Sequence, residues 1–348
     1  MLGPEPPPYP PAAPPHPQRR RILAVLVTAT LLLAAALAVI AYQRRTSDNA
    51  VSGAHPAAAP HLITVGAAPT AVAVDAANKV AYVANSDDDT VSVIDTTTGT
   101  VTATIAVGDR PFAVDVNPAA GTVYVANSDD GTVSVIDTAT NTVRTTIDVG
   151  ATPSTVVVDR PDTVYVANLD DGTVSVISAG TDTVTATWRT DRGPLGAVTV
   201  DVAAATAYAT NFVEQSVSVL DTATGATTAT VPVGMNPGPL DFDPRTGAVY
   251  VANFGDGTVS VIDTASTAVT ATVTVGGMPR AVAADPESDT VYVANGEDGT
   301  VSVIDTTTYT VTATLPAGGR PWSVAVDPAT DTLYVANNAD GTVSVLPR

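Results

Sequence analysis

Seven prolines recur every 41 to 43 residues, and the residues beside them are those best suited to bind a ligand. The prolines are Pro69, Pro111, Pro153, Pro194, Pro237, Pro279 and Pro321. Their neighbours differ between repeats and combine guanidinium, aromatic, amide and thioether groups: Arg110, Phe112, Arg192, Met235, Asn236, Met278, Arg280, Arg320 and Trp322. Mixed cationic and apolar groups suit a small anionic or aromatic ligand. The alternative is variable loops whose arginines pair with nearby aspartates such as Asp109.

Side chains for nucleophilic catalysis are scarce. The chain has no cysteine, and its three histidines, His16, His55 and His61, all precede the first full repeat. Ser-His-Asp and Cys-His arrangements are therefore absent, as are haem, zinc and copper sites that depend on histidine. We assign no catalytic residue and no metal ligand.

The acidity of the repeats bears on the choice of partner. From residue 61 onward there are 33 Asp and Glu against 10 Lys and Arg, a balance of −23. Such a surface repels phosphate backbones, so we predict no nucleic-acid partner. Many acidic residues follow the second strand of a repeat: Asp87, Asp88, Asp89, Asp129, Asp130, Asp170, Asp171, Glu214, Asp256, Glu297, Asp298 and Asp340. They could hold Ca²⁺, or they could simply be the residues that tight hairpins need.

The elements that position these residues are β-strands. Residues 113–116, 122–127, 132–137 and 142–149 alternate β-branched and polar side chains, and Asp130-Gly131 is a strong hairpin signal. Four antiparallel strands in about 42 residues make one blade of a β-propeller. The motif Tyr-x-x-Asn counts the blades, with tyrosines at Tyr82, Tyr124, Tyr165, Tyr208, Tyr250, Tyr292 and Tyr334 and asparagines at Asn85, Asn127, Asn168, Asn211, Asn253, Asn295 and Asn337.

The two ends of the repeat region predict how the ring closes. The last unit stops after its third strand, at residues 343–346, whereas residues 62–66 precede the first unit and align with the fourth-strand residues 104–108. We therefore predict an all-β, seven-bladed propeller in which the N-terminal strand completes the last blade. Closure of this kind hides a sheet edge.

Strand order also predicts where the variable residues lie. The links between blades and the links between second and third strands share one face, and the links between blades surround the central channel. The variable residues beside the prolines then lie at the mouth of the channel. We interpret the tyrosines as packing between blades. We expect each asparagine side chain to bond the backbone of the following turn.

The N-terminal residues have the composition of a membrane-anchored segment. Residues 1–21 form a proline-rich tail ending in Arg19-Arg20-Arg21, residues 22–42 carry no charge, and residues 43–60 read as a linker. A helix of this length spans roughly 30 Å, the thickness of a bilayer core. The flanking arginines favour a cytoplasmic N-terminus, so 22–42 is predicted as a transmembrane signal-anchor. A cleaved signal peptide ending near Ala36-Leu37-Ala38 and a twin-arginine signal are alternatives. All three place the propeller of residues 61–348 outside the cytoplasm.

The repeats resemble the YVTN-type β-propeller units of bacterial and archaeal cell-surface and exported proteins. Tyr208-Ala209-Thr210-Asn211 keeps the threonine of that motif, and the other six units read Tyr-Val-Ala-Asn. The resemblance covers about residues 61–346 and implies the fold, because propellers host many unrelated activities.

These observations predict a single-pass, extracytoplasmic propeller, monomeric, that acts at the cell surface as a binding or scaffold module for a protein or small ligand. No cofactor is assigned. The alternative is a hydrolase or lyase of propeller type that uses carboxylate-bound Ca²⁺.

Overall fold

The computed structural model describes residues 60–159, 162–190 and 193–348. The predicted proline-rich tail, the signal-anchor of residues 22–42, nearly all of the linker, and Arg192 lie outside the described residues. In the part of the chain that is described, no helix is long and apolar enough to cross a membrane.

The described residues form seven antiparallel four-stranded sheets, which are the seven blades predicted from the repeat. The first strand of each blade lies next to the central channel: β2 (Pro69–Asp75), β6 (Pro111–Asn117), β10 (Pro153–Asp159), β14 (Leu195–Asp201), β18 (Pro237–Asp243), β22 (Pro279–Asp285) and β26 (Pro321–Asp327). The second strands end in the repeated asparagines: β3 (Val80–Asn85), β7 (Thr122–Asn127), β11 (Thr163–Asn168), β15 (Thr206–Asn211), β19 (Ala248–Asn253), β23 (Thr290–Asn295) and β27 (Thr332–Asn337).

The third and fourth strands complete each blade towards the outside. The third strands are β4 (Thr90–Asp95), β8 (Thr132–Asp137), β12 (Thr173–Ser178), β16 (Ser216–Asp221), β20 (Thr258–Asp263), β24 (Thr300–Asp305) and β28 (Thr342–Pro347). The fourth strands, which are mostly exposed, are β5 (Thr100–Ala106), β9 (Thr142–Asp148), β13 (Thr183–Arg189), β17 (Thr227–Pro232), β21 (Ala268–Thr274), β25 (Thr310–Pro316) and β1 (His61–Thr64).

Blade 7 takes its outer strand from the other end of the described chain. β1 pairs antiparallel with β28, so that Ile63 lies opposite Val343 and Thr64 opposite Thr342. Ile63 is 4% exposed and belongs to an apolar cluster that also contains Tyr334 of blade 7 and Val83 of blade 1. Hydrogen bonds and apolar packing thus join the first and last parts of the propeller.

The core lies between adjacent blades. Each of seven apolar clusters combines residues from two successive blades. All seven repeated tyrosines are buried, at 0 to 5% exposure. The interpretation of the tyrosines as packing residues is therefore confirmed.

The repeated asparagines bond differently from the prediction. In every blade the side-chain Nδ2 donates to two hydroxyl groups of the third strand, as Asn127 does to Thr132 at 3.0 Å and Ser134 at 2.9 Å. The prediction that each asparagine side chain bonds the backbone of the following turn is wrong. The amide group is buried and lies towards the third strand of the same sheet.

Candidate ligand-binding site

A cavity of about 520 Å³ opens where the first strands of the blades begin. The face around it carries the links predicted to surround the channel mouth. In all seven blades, the carbonyl of the residue before the first strand accepts a hydrogen bond from the backbone N–H that follows the repeated asparagine, as Arg110 does from Ser128 at 2.9 Å. We call the link that enters each blade its inner link and the link between its second and third strands its outer link. These bonds hold the inner and outer links of each blade together.

The second residue of every first strand lines this cavity. We call these residues the mouth ring: Thr70, Phe112, Ser154, Gly196, Gly238, Arg280 and Trp322. Each lies at a β-bulge, where the pairing register between first and second strand shifts. A bulge leaves its extra residue outside the regular ladder and re-aims the side chain. The fold therefore directs one residue per blade into the cavity.

Blade 4 departs from the proline pattern. Pro194 precedes β14, and Leu195 pairs with Asn211 as the prolines of the other blades pair with their asparagines. The mouth-ring residue of this blade is therefore Gly196. In this blade the mouth-ring residue is therefore two positions after the proline, whereas in the other blades it follows the proline directly.

Arg280 is the charged member of the mouth ring, and it lies between two aromatic rings from neighbouring blades. Its Cζ is 3.9 Å from the ring centroid of Trp322 and 4.6 Å from that of Phe254. Phe112 makes an edge contact with Trp322, with ring centroids 6.4 Å apart. Contacts of a cation with aromatic faces contribute about 0.5–2 kcal/mol each. The guanidinium is thus held in place by rings.

The charge of Arg280 has no carboxylate partner among the described residues. The ion pairs there join other arginines, namely Arg110, Arg144, Arg245 and Arg348, to aspartates. Burial lowers the pKa of Arg280, and the nearby positive charge of Arg320 lowers it further. Arginine remains protonated at any physiological pH, so a half-buried positive charge faces the cavity.

Gly296 makes room for the stem of Arg280. A Cβ at position 296 would lie 2.9 Å from Cγ of Arg280. The other blades carry Ser86, Ser128, Leu169, Phe212, Phe254 and Asn338 at this position after the asparagine. The glycine in blade 6 therefore allows arginine to occupy the adjoining mouth-ring position.

Of the nine residues predicted from the sequence, Phe112, Arg280 and Trp322 line the cavity. Arg320 lies at the rim, exposed, with its Cζ 5.7 Å from the ring centroid of Trp322. Arg110 pairs with Asp129, and not with Asp109, at 3.5 Å between exposed groups. Met235, Asn236 and Met278 lie in the links before the first strands, outside the lining, and Arg192 is outside the described residues.

Several rim residues adopt a backbone conformation that is unusual for side chains other than glycine. The residue before the first strand has φ of 49° to 55° in six blades, at Ala68, Arg110, Thr152, Asn236, Met278 and Arg320. This left-handed conformation is costly for most residues. The carbonyls of these six residues accept the N–H that follows the asparagine, so their backbone serves the framework while the side chain varies.

One apolar wall of the cavity was not predicted from the sequence. Leu169, Phe212 and Phe254, each the first residue after a repeated asparagine, line it together with Gly196 and Gly238. The signal was present, because this position reads Ser, Ser, Leu, Phe, Phe, Gly and Asn through the seven blades. It varies as strongly as the residues beside the prolines.

Two carboxylates lie deeper along the same first strands. Asp115 and Asp241 each accept the N–H of the next residue and an N–H from the following blade, Val158 at 2.7 Å and Ala284 at 2.9 Å. Burial raises the pKa of Asp241 to about 6, and the charge of Asp115 adds to this. Neither residue is among those predicted from the sequence.

The acidic residues of the outer links have a structural role. In six blades the aspartate three positions after the asparagine accepts an N–H of the link that enters the same blade, as Asp130 does from Asp109 at 2.7 Å. No group of three or more His, Asp or Glu among the described residues is arranged to hold a metal ion. The aspartates thus help to hold two links of the same blade together.

Comparison with known proteins supports the fold. The model of YNCE-like beta-propellers matches residues 45–157, and the model described as lactonase, 7-bladed beta-propeller, matches residues 262–348. Each match covers less than half of the chain and shows a similarity to that family. No curated protein matches the chain. The solved structure of Kuenenia stuttgartiensis hydrazine synthase is similar, with a TM-score of 0.74, 21% identity and coverage of 86% of this chain and 99% of that one. At this identity the likeness shows the fold alone.

Proposed function

We propose that this protein is a membrane-anchored binding module whose propeller, outside the cytoplasm, captures a ligand or a partner group at the mouth of its central channel. The observation that supports this most directly is Arg280, a half-buried cation without a described carboxylate partner at the opening of a cavity of about 520 Å³. Pockets that bind small molecules typically measure about 300–1,000 Å³. A half-buried cation without a carboxylate partner is costly to desolvate, and an anionic ligand would supply that partner.

The composition of residues 22–42 and their arginine flanks supports the anchor. Binding is favoured over catalysis because the described residues that line the cavity include neither histidine nor carboxylate. A propeller tethered in this way would act as a monomer at the cell surface, with its mouth as the recognition surface.

Crosslinking in living cells tests the proposal. The full-length chain is compared with a triple variant, Arg110→Ala, Arg280→Ala and Arg320→Ala, and with a control double variant, Arg144→Ala and Arg189→Ala, which removes arginines from the outer strands β9 and β13. We expect the triple variant to lose crosslinked species that the control retains. Identical crosslinking patterns for all three chains would show that the mouth is not the recognition surface.

The similarity of residues 262–348 to lactonase-type propellers favours one alternative, a carboxylate- and Ca²⁺-dependent hydrolase or lyase. An ion that binds only the folded state stabilises it by RT ln(1 + c/Kd), where c is the free ion concentration. This alternative therefore predicts a higher melting temperature with Ca²⁺ and a lower one with chelator. Melting temperatures that are equal in both solutions would count against it.

A further inference from the structure

The chemistry of the mouth ring narrows the class of ligand. We infer that the cavity binds an organic monocarboxylate with a flat apolar body, whose carboxylate meets Arg280 and whose body lies against Leu169 and Phe212. The inference rests on the proposed function, since it names the ligand class of the same site.

The first step concerns the shape of the anion. Trp322 and Phe254 occupy two sides of the Arg280 guanidinium, and no described acceptor takes its N–H groups. Guanidinium donors form a planar fork that matches the two oxygens of a carboxylate. Rings that fix the cation also reduce the entropy that is lost when it binds.

The second step concerns the charge of the ligand. Arg280 supplies one positive charge to the cavity lining, and Asp115 and Asp241 lie three residues further along β6 and β18 than the mouth ring. At about 3.3 Å per residue, these carboxylates are about 10 Å deeper. Together with the −23 balance of the repeats, they oppose a second negative charge. A monoanion is therefore favoured over a phosphate dianion.

The third step concerns the body of the ligand. Opposite the aromatic side of the mouth ring, Gly196 and Gly238 contribute no side chain, and the adjoining wall is Leu169, Phe212 and Leu240. The hydroxyls of Thr70 and Ser154 are already used, since they donate to backbone carbonyls of the next blade, Pro111 and Leu195. Thr155 and Ser323 add two further hydroxyls to the lining; Thr155 donates to the carbonyl of Gly196, and Ser323 accepts the N–H of Val72. The lining is otherwise mostly apolar, and it suits a ring or short chain better than a sugar.

Tryptophan fluorescence of the full-length chain provides the measurement. Trp322 lies in the mouth ring, whereas Trp188 is buried beside Tyr165 between blades. The probes are 3-phenylpropionate, its neutral analogue 3-phenylpropionamide, and the dianion phenyl phosphate. We expect the acid to give a saturable change at millimolar concentrations and to bind at least about tenfold more tightly than either analogue.

Variants test whether the carboxylate of the ligand binds at Arg280. Arg280→Gln should weaken binding of 3-phenylpropionate at least about tenfold, and Gly296→Ala, which displaces the stem of Arg280 without changing any charge, should weaken it as well. Arg189→Gln, on the exposed strand β13, is the matched control and should bind like the unmodified chain. Circular dichroism verifies folding, and the comparison of acid with amide needs no variant.

The inference fails if the amide binds as well as the acid, if phenyl phosphate binds more tightly, if Arg280→Gln folds and binds normally, or if the acid gives no saturable change. Each of these results leaves mouth-dependent crosslinking in cells untouched. If the triple variant and its control crosslinked alike in cells, the proposed function itself would be wrong.

Discussion

Asp241 shows how a single residue can join two blades and remain titratable. Its carboxylate accepts backbone N–H groups from Phe242 and from Ala284 in the next blade, both at 2.9 Å. Asp115 makes the same bonds between blades 2 and 3. The hydrogen bonds favour the charged form, but burial has the larger effect and raises the pKa of Asp241 to about 6.

This raised pKa predicts a pH-dependent stability. An unfolded aspartate has a pKa of about 3.9, so between about pH 4 and 6 the folded protein retains a proton that the unfolded chain has lost. The contribution of Asp241 to the free energy of unfolding is then largest below this window and falls as pH rises through it, by roughly 2–3 kcal/mol. Asp241→Asn cannot titrate. The advantage of the unmodified chain over Asp241→Asn in urea denaturation should therefore be greater near pH 4 than near pH 7.

Asp221→Asn is the control with the opposite sign. Hydrogen bonds from Thr224 lower the pKa of Asp221, so its contribution is present at neutral pH and is lost as pH falls. The advantage of the unmodified chain over this variant should shrink on acidification. A difference for Asp241→Asn that does not change with pH would contradict the role of burial.

Substitution of Gly276 tests how much one added methyl group beside a repeated asparagine lowers the free energy of unfolding. A Cβ there would lie 2.6 Å from Cγ of Asn295 and 2.5 Å from Oδ2 of Asp298. Both neighbours are held by hydrogen bonds, so Gly276→Ala should lower the free energy of unfolding by about 1–3 kcal/mol. Gly180→Ala is the matched control, since a Cβ there meets nothing within 4 Å. Equal denaturation midpoints for the two variants would show that the asparagine side chain can move aside.

Among the elements, the short strand β1 comes from the opposite end of the described propeller to the rest of its blade. Four residues supply the outer strand of blade 7, and Ile63 joins the apolar cluster between blades 7 and 1. Blade 7 would otherwise end with β28 as an exposed edge strand, which invites pairing with other chains. β1 therefore links the two ends of the described propeller through both its backbone and one side chain.

Two substitutions on β1 separate the contribution of its backbone pairing from that of the buried side chain. Ile63→Ala removes a buried side chain and should lower the free energy of unfolding by about 2–5 kcal/mol. Leu62→Ala, on the same strand but 53% exposed, should change it by less than about 0.5 kcal/mol. Chemical denaturation measures both. Similar losses for the two variants would mean that strand pairing, and not the packing of Ile63, holds β1.

For the whole molecule, the charge balance of −23 from residue 61 onward predicts a dependence on salt. Like charges repel more in the folded state than in the expanded chain, and salt screens them. Raising NaCl from about 0.01 M to about 0.15 M shortens the screening length from about 30 Å to about 8 Å. The melting temperature should therefore rise by a few degrees. Near pH 4, where part of the carboxylates are neutral, the rise should be smaller. A melting temperature that falls with NaCl would contradict net repulsion.

The sequence alone determined the number of blades, the strands within each blade and the packing role of the tyrosines. The predicted residues 122–127 and 132–137 coincide with β7 and β8. This succeeded because a blade repeats its pattern of β-branched residues, turn residues and tyrosine every 41 to 43 positions, and each pattern specifies local structure. The variable residues at the mouth were also visible in the sequence as departures from the repeat.

Only the tertiary structure decided which of those residues meet. Arg280, Trp322 and Phe254 come from three blades, and they converge because a bulge re-aims one residue in each first strand and because Gly296 leaves space for the arginine. The same structure directs Arg110 towards Asp129 and places Met235 in the link between two blades, outside the cavity lining. A repeat period predicts what each blade has in common. Contacts between blades depend on strand register, bulges and the size of a neighbouring side chain, which the period does not contain.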